Sequence, residues 1–322
     1  MVKTGIIGAD SPLAGELIRI LINHPETDIV TLYAPARNGR SVSSLHYGLI
    51  GESLVNFTDK INPEDLDLIF ITDNSETGVS LLENLDKWPE LRVVDLSPER
   101  FFAQTSKSLE YGLSEINRKA LVRGARHAVI PSTPAAVALV ALHPLARFLL
   151  LNSSLEIELS MPEDQFKEIK DMALIREELS QQLKKIQSSF EEDIKISVLK
   201  TSTDSRYIEL RTVVDCSLPI DEIAKIYDNI YDDHNFTFIS LTPVSRKEVE
   251  GTQKIVISLN KTSSGKLEIY AVADSRLRGG AGDAVHMLNL LFSLHEKTGL
   301  YLKSTSFGLP DEQESASSSW FA

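Results

Sequence analysis

The chain of 322 residues contains a single cysteine, Cys216. One thiol cannot close an internal disulfide, and it cannot supply the cysteine cluster of a zinc site. A reducing, cytoplasmic setting is the simplest expectation. Long apolar runs are also lacking: none reaches the roughly 18 to 20 residues of a membrane span, so no membrane partner is expected. The opening MVKTGIIG does not have the layout of a secretory leader, because its apolar part is only a few residues long. An excess of basic charge is missing too. The net charge of −13 weighs against nucleic acid as a partner, since sequence-independent binding needs a basic surface. A local basic pocket for an anionic cofactor stays compatible with it. What is present is an ordinary globular composition, 42% apolar and 25% charged. The chain is long enough for two domains and a sizeable core.

The first half alternates strand-like and helix-like segments. Lys3–Gly8 reads as a strand ending in glycine. Ser11-Pro12 then opens a helix over Leu13–Asn23, with apolar residues at Leu13, Leu17, Ile18, Leu21 and Ile22. Strand patterns follow at Asp28–Ala34, Leu66–Thr72, Leu91–Leu96 and His127–Ile130, with helical patterns at Glu76–Leu85 and Ser114–Gly124 between them. Such alternation predicts an α/β domain of Rossmann type, a doubly wound parallel sheet.

Its first turn is the candidate dinucleotide site. Gly8, Ser11 and the Ala14-Gly15 pair occupy the places of a G-x-x-G-x-x-G variant between strand and helix. Ser11 stands where a second glycine would let the backbone approach a pyrophosphate. Acting as an N-cap, it takes up one backbone N–H that could otherwise meet phosphate, so binding is expected to be weak or lost. After the second strand, Tyr33–Ser41 (YAPARNGRS) offers no carboxylate for a ribose 2′-OH. Arg37, Arg40 and Ser41 can instead meet a 2′-phosphate, which favours NADP(H) over NAD. The competing reading is a solvated basic loop.

The second half is mixed. Strand patterns at Leu155–Ser160, Ile194–Leu199, Tyr207–Val214, Phe236–Leu241, Lys254–Leu259 and Leu267–Ala273 are interleaved with helices at Leu174–Ile186 and Ile220–Tyr231. This predicts an α+β domain, one sheet covered by helices. Gly279-Gly280-Ala281-Gly282 leads into a helix over Asp283–His295 whose N-terminus can point at the cofactor, adding Gly279, Gly282 and Asp283 to the candidate set. The expected domains are residues 1–148, completed by 282–322, and residues 149–281. The Ser-rich, acidic end at 310–322, with Trp320-Phe321, reads as flexible.

One turn has the setting for a nucleophile and lacks the nucleophile. In Val129–Pro144 (VIPSTPAAVALVALHP) an apolar run stops at Pro131, Ser132 and Thr133 follow, and Pro134 opens a run of helix formers. The turn aims Ser132 at the C-terminal sheet edge, where open α/β proteins place ligands. Its plain alternative is an N-cap. Cys216 reads as a packing cysteine, His286 as helix packing, and His127 as the start of its strand, at the far edge from Ser132.

In order, GIIGADSPLAGELIRILINHPE, VVDLSPERF, YGLSEINR, VIPSTPAAVALVALHPL and RLRGGAGDAVHMLNLLFSLHEKTGL resemble N-acetyl-γ-glutamyl-phosphate reductases of the aspartate-semialdehyde dehydrogenase superfamily. The resemblance implies a Rossmann-type domain plus a substrate and dimerisation domain, NADPH-linked reduction of an acyl phosphate to a semialdehyde, and a homo-oligomer, dimer or tetramer. In that family the turn reads roughly Asn-Pro-Gly-Cys-Tyr-Pro-Thr-Ala and its Cys attacks the substrate; the position here is Ser132. Ile175 takes the place of the family's histidine, and no histidine occurs between His143 and His234. Met161-Pro162-Glu163-Asp164 replaces the Gly-rich substrate loop. Phe101, with Arg100 beside it, replaces the phosphate-binding arginine. Asp283 stands where the family tends to carry Gln. A catalytically degenerate NADP(H)-binding homologue is therefore expected, with an active reductase homologue as its candidate partner. The alternative is an active NADP-dependent oxidoreductase acting on another carbonyl or acyl-phosphate substrate.

Overall fold

The computed structural model describes residues 1–52, 54–97, 109–169 and 171–304. Arg100, Phe101 and the 310–322 segment lie outside them. Contacts divide the chain into two compact units, Met1–Ser132 with Gly279–Tyr301, and Thr133–Arg278 with residues 302–304.

The first unit is a Rossmann-type sheet. In chain order it holds β1 (Val2–Ile7), α1 (Pro12–Leu21), β2 (Thr27–Tyr33), β3 (Phe57–Thr58), β4 (Leu68–Ile71), α2 (Glu76–Glu83), β5 (Arg92–Asp95), β6 (Glu110–Tyr111), α3 (Ser114–Val122) and β7 (His127–Val129). The strands run parallel in the order β3-β2-β1-β4-β5-β7-β6, which reverses direction between β1 and β4. Leu68, Ile69, Phe70 and Ile71 are all buried, as befits a central parallel strand covered on both faces. Ile7, Ile69, Ile71 and Val93 pack with Leu81, Leu82 and Leu85 of the α2 segment. The short β3 and β6 strands escape the sequence pattern because two residues carry no period.

The second unit begins with α4 (Thr133–Arg147) and continues through β8 (Leu155–Pro162), α5 (Glu163–Glu168), α6 (Met172–Ile186), β9 (Ile194–Thr201), β10 (Tyr207–Val214), α7 (Ile220–Tyr231), β11 (Thr237–Ser240), β12 (Ile255–Lys261) and β13 (Leu267–Asp274). Its six strands form a mixed sheet in the order β11-β12-β13-β10-β8-β9. The register sets Ile208 opposite Ala273, Leu210 opposite Ala271 and Val214 opposite Leu267, an apolar face. Helix α4 packs on β10, β13, α6 and α7. It therefore belongs with the second unit, whereas the expected boundary at residue 148 left it with the first. On the other face, the connection from β11 to β12 is tied down by Arg246, which grips Glu209 at 2.7 and 2.8 Å, and by the Gly251 N–H donating to Asp274 at 2.7 Å.

The last helix, α8 (Ala281–Leu291), returns to the first unit and packs on α1, α3 and β5. Within it Asn289 pairs with His24 at 2.9 Å, and beyond it Glu296 accepts from Arg118 at 2.5 Å.

Candidate functional site

The C-terminal ends of β1, β4, β5 and β7 share one edge of the parallel sheet, and the first turn lies there. Gly8 follows β1 with φ +78°. A Cβ at Gly8 would come within 2.7 Å of the Asp73 side chain, so both conformation and crowding demand glycine. Ser11 caps α1: the Ala14 N–H donates to its Oγ at 3.0 Å, and Pro12 occupies the first helical position. Its hydroxyl donates in turn to Thr72 Oγ1 at 3.2 Å, and Thr72 donates to the Ile7 and Gly8 carbonyls. The Ser11 N–H donates to the Gly8 carbonyl at 2.9 Å. Among the described residues, the Leu13 N–H makes no hydrogen bond, and the first turn of α1 carries no acidic side chain. The turn thus keeps a positive helix end, with fewer open amides than a glycine at position 11 would leave.

His46 was not singled out by the sequence. Its Nε2 contacts the Ala9 carbonyl at 2.8 Å, and its ring lies where a Cβ on Gly15 would sit. Gly15 is thus a packing glycine. The signal for His46 was absent because it lies in an irregular loop whose fold depends on Val42 and Phe57.

Beyond β2, Gly39 (φ +78°) turns the loop back, and its N–H and the Arg40 carbonyl bond Phe57 at 2.8 and 3.0 Å. Arg37 lies 3.9 Å from Asp10, a partly solvated ion pair across the first turn. Arg40 and Ser41 are exposed. The structure brings Gly8, Ser11, Ala14 and Arg37 together and leaves Arg40 and Ser41 facing solvent.

At the start of α8, Gly279 has φ +63° and its N–H donates to Asp283 at 2.6 Å. Asp283 is 2% exposed. Its carboxylate thus holds the residue that precedes the N-cap Gly280, with Gly282 in the buried first turn. His286 is buried against Glu296 at 3.2 Å.

Ser132 follows β7 and directly precedes α4, half-buried. Helix α4 contains Pro144, which cannot donate to the Val140 carbonyl four residues back. Tyr231 donates to that carbonyl at 2.6 Å, and Tyr227 donates to the next one, Ala141, at 2.7 Å. Both phenols are buried, and burial holds Tyr227 firmly protonated.

In the second unit Ile175 is 3% exposed, on the packed face of α6 with Leu179 and Leu183. Cys216 is buried after β10, and its carbonyl accepts from Lys261 at 2.6 Å. Of the four residues in the place of the Gly-rich substrate loop, Met161 and Pro162 end β8, and Glu163 and Asp164 open α5. Asp164 of α5 pairs with Arg276 at 3.4 Å, and burial and Asp164 push the Glu168 carboxyl up. The Glu163–Glu168 run carried the helical signal, with two acids in the first turn.

Sheet order and first turn define a Rossmann-type α/β protein, of the semialdehyde dehydrogenase class. A family profile described as "Semialdehyde dehydrogenase, NAD binding domain" matches residues 3–123. N-acetyl-gamma-glutamyl-phosphate reductase of Parabacteroides distasonis is 33% identical over 325 residues, spanning 95% of this chain and all of the relative. The Bacteroides fragilis protein of that name is also 33% identical, over 327 residues, with the same coverage. Aspartate semialdehyde dehydrogenase II from Vibrio cholerae, solved with ASA, superposes with a TM-score of 0.69 at 12% identity, over 91% of this chain and 98% of that one. The Candida albicans enzyme solved with NADP gives 0.63 at 12%, with the same coverage. The chain belongs to the N-acetyl-gamma-glutamyl-phosphate reductase family.

Proposed function

We propose that this chain is an NADP(H)-binding member of the family that does not carry out ordinary acyl-phosphate reduction. The observation that carries the reading is Ser132 at the turn before α4, while the one cysteine is buried after β10. Displacing phosphate from an acyl phosphate calls for a thiolate, which ordinary thiols approach near neutrality and hydroxyls do not. Ile175, in the place implied for the family's imidazole, offers only a buried hydrocarbon. Loss of a nucleophile costs about 10⁴ to 10⁶ in rate in well-studied hydrolases, and groups acting as a unit are not additive.

The residues at the first turn fit a dinucleotide phosphate: a glycine at positive φ, a first helical turn with no acidic side chain, and Arg37, paired with Asp10, beside it. When bound, NADPH supplies hydride from its nicotinamide. Gly8 and the Leu13 N–H would face the pyrophosphate, and Arg37, Arg40 and Ser41 the 2′-phosphate. The Ser11 hydroxyl competes by holding the Ala14 N–H.

The test is a thermal-shift titration with NADPH and NADH. At a hundredfold excess over Kd, binding adds about 2.7 kcal/mol, or roughly 5 to 10 °C for domains of this size. A shift with NADPH alone supports the arginine reading; no shift with either nucleotide sinks it. Ser132→Cys is expected to leave acyl-phosphate reduction negligible, and robust turnover by that variant would overturn the proposed loss. The second reading, hydride transfer to a carbonyl or imine without a covalent intermediate, is favoured by the preserved first turn and requires the same NADPH shift. A homo-oligomer, dimer or tetramer, and a mixed assembly with an active reductase homologue are part of the proposal. Light scattering and co-purification test them.

A further inference from the structure

Asp10 and Arg37 meet across the first turn, and the backbone on either side of them is anchored. The Gly8 and Ala9 N–H groups donate to the Tyr33 carbonyl at 3.1 Å each, which ties the turn to the end of β2. His46 holds the Ala9 carbonyl at 2.8 Å. The Arg37 N–H donates to the Ala34 carbonyl at 2.8 Å, so the stretch after β2 is set as well. Between these anchors Asp10 Oδ2 lies 3.9 Å from Arg37 Nε, and the two side chains are 34% and 40% exposed. That distance is beyond a hydrogen bond, and Nε has no hydrogen-bond partner. Among the described residues no amide donates to the Asp10 carboxylate, although it stands just before α1; the Ala14 N–H goes to Ser11 instead. A loose, partly solvated pair contributes little to the fold. Its placement calls for another reason.

The ribose of a bound dinucleotide is read in one of two ways: a carboxylate accepts a free 2′-hydroxyl, or a guanidinium takes a 2′-phosphate. This chain sets one group of each kind side by side. The stretch after β2 carries no carboxylate, and the first turn supplies one in its place. We propose that Asp10 is a specificity-determining residue of the first turn. Its carboxylate accepts the ribose 2′-hydroxyl of NADH, and it opposes the 2′-phosphate of NADPH both by like-charge repulsion and by competing for Arg37. Asp10 thereby narrows the preference for NADPH that Arg37 creates. The inference rests on the dinucleotide site proposed at this turn.

The test is isothermal titration calorimetry on the full chain, with NADPH and NADH in separate runs, for the unaltered protein, Asp10→Asn and Arg37→Gln. Asp10→Asn keeps the shape of the side chain and removes its charge. It should tighten NADPH about two- to tenfold and weaken NADH about two- to fivefold. Arg37→Gln should weaken NADPH about tenfold and leave NADH within about twofold. Opposite movement of the two nucleotides in Asp10→Asn is the signature, because a merely structural aspartate would move both affinities together. Affinities that shift together or stay unchanged in that variant overturn the role of Asp10 and leave the dinucleotide site standing, as does equal weakening of both nucleotides by Arg37→Gln. Binding of neither nucleotide by the unaltered chain overturns the site and this inference with it.

Discussion

Helices α1 and α4 begin with the same signal, a Ser or Thr followed by proline, and depend on very different support. At α1, Ser11 is the cap, Pro12 opens the helix, and the hydroxyl is stitched to Thr72, 61 residues away. At α4, the Thr133-Pro134 pair lies inside the first turn, and the helix is buried continuously from Pro134 to Ala146. Its weak point is internal, at Pro144, and the repair comes from Tyr227 and Tyr231, 86 and 91 residues on. The local signal places a helix start in both cases. What holds each helix is set by partners that no local window contains.

The largest expected effect tests that distant repair. Tyr231→Phe leaves the Val140 carbonyl buried and unpaired, which costs about 1 to 3 kcal/mol and lowers Tm by several degrees, roughly 2 to 4 °C per kcal/mol. Pro144→Ala restores an N–H four residues beyond Val140. In the double variant the loss from Tyr231→Phe should shrink, and a double-mutant cycle by urea denaturation reads the coupling. Strict additivity would break the comparison, because the tyrosine would then be acting through packing alone.

A second contrast is in pH. His127 begins the strand that leads to α4, and His24 follows α1. Both have lowered pKa values, His127 to about 4, His24 less because Asn289 and Glu26 oppose burial. A lowered folded pKa means that the unfolded chain takes the proton first as pH falls. Stability from a neutral ring is therefore whole above about pH 6.5 and is lost progressively toward the folded value. His127, half-buried and screened, should account for about 1 to 2 kcal/mol of that loss. His127→Gln should flatten the denaturation midpoint between about pH 7 and pH 5 more than His24→Gln does. An unchanged slope in His127→Gln would remove the ring from the account.

The same contrast explains what was legible. The alternation of strands and helices was readable because β4 is an apolar run and α7 carries a clean amphipathic period; Ile220–Tyr231 appears at its expected bounds. The Ser11 cap was readable because caps are local. The unit boundary was not, since the apolar run of α4 is continuous with the β7 turn, and only its contacts with β13, β10, α6 and α7 assign it. Helix α5 has six residues, too few to show a helical period, although two acids stand in its first turn. His46 and Thr72 act through contacts 37 and 61 or more residues apart, beyond any periodicity.

The smallest effect is the sharpest, because stability and binding move in opposite directions. Ser11→Ala removes the cap on the Ala14 N–H and should cost about 1 kcal/mol, while Ser11→Gly should cost only a few tenths. Glycine also frees the Ala14 N–H and lets the backbone come closer to a phosphate. Under the proposed reading, Ser11→Gly should tighten NADPH binding by about two- to tenfold, the worth of one hydrogen bond of roughly 0.5 to 1.5 kcal/mol. Tm of the nucleotide-free protein should fall slightly. A purely structural serine lowers stability and leaves the NADPH titration where it was. Tighter binding on a slightly weaker fold would show that the hydroxyl competes with the phosphate, whereas at α4 the distant tyrosines only repair a helix.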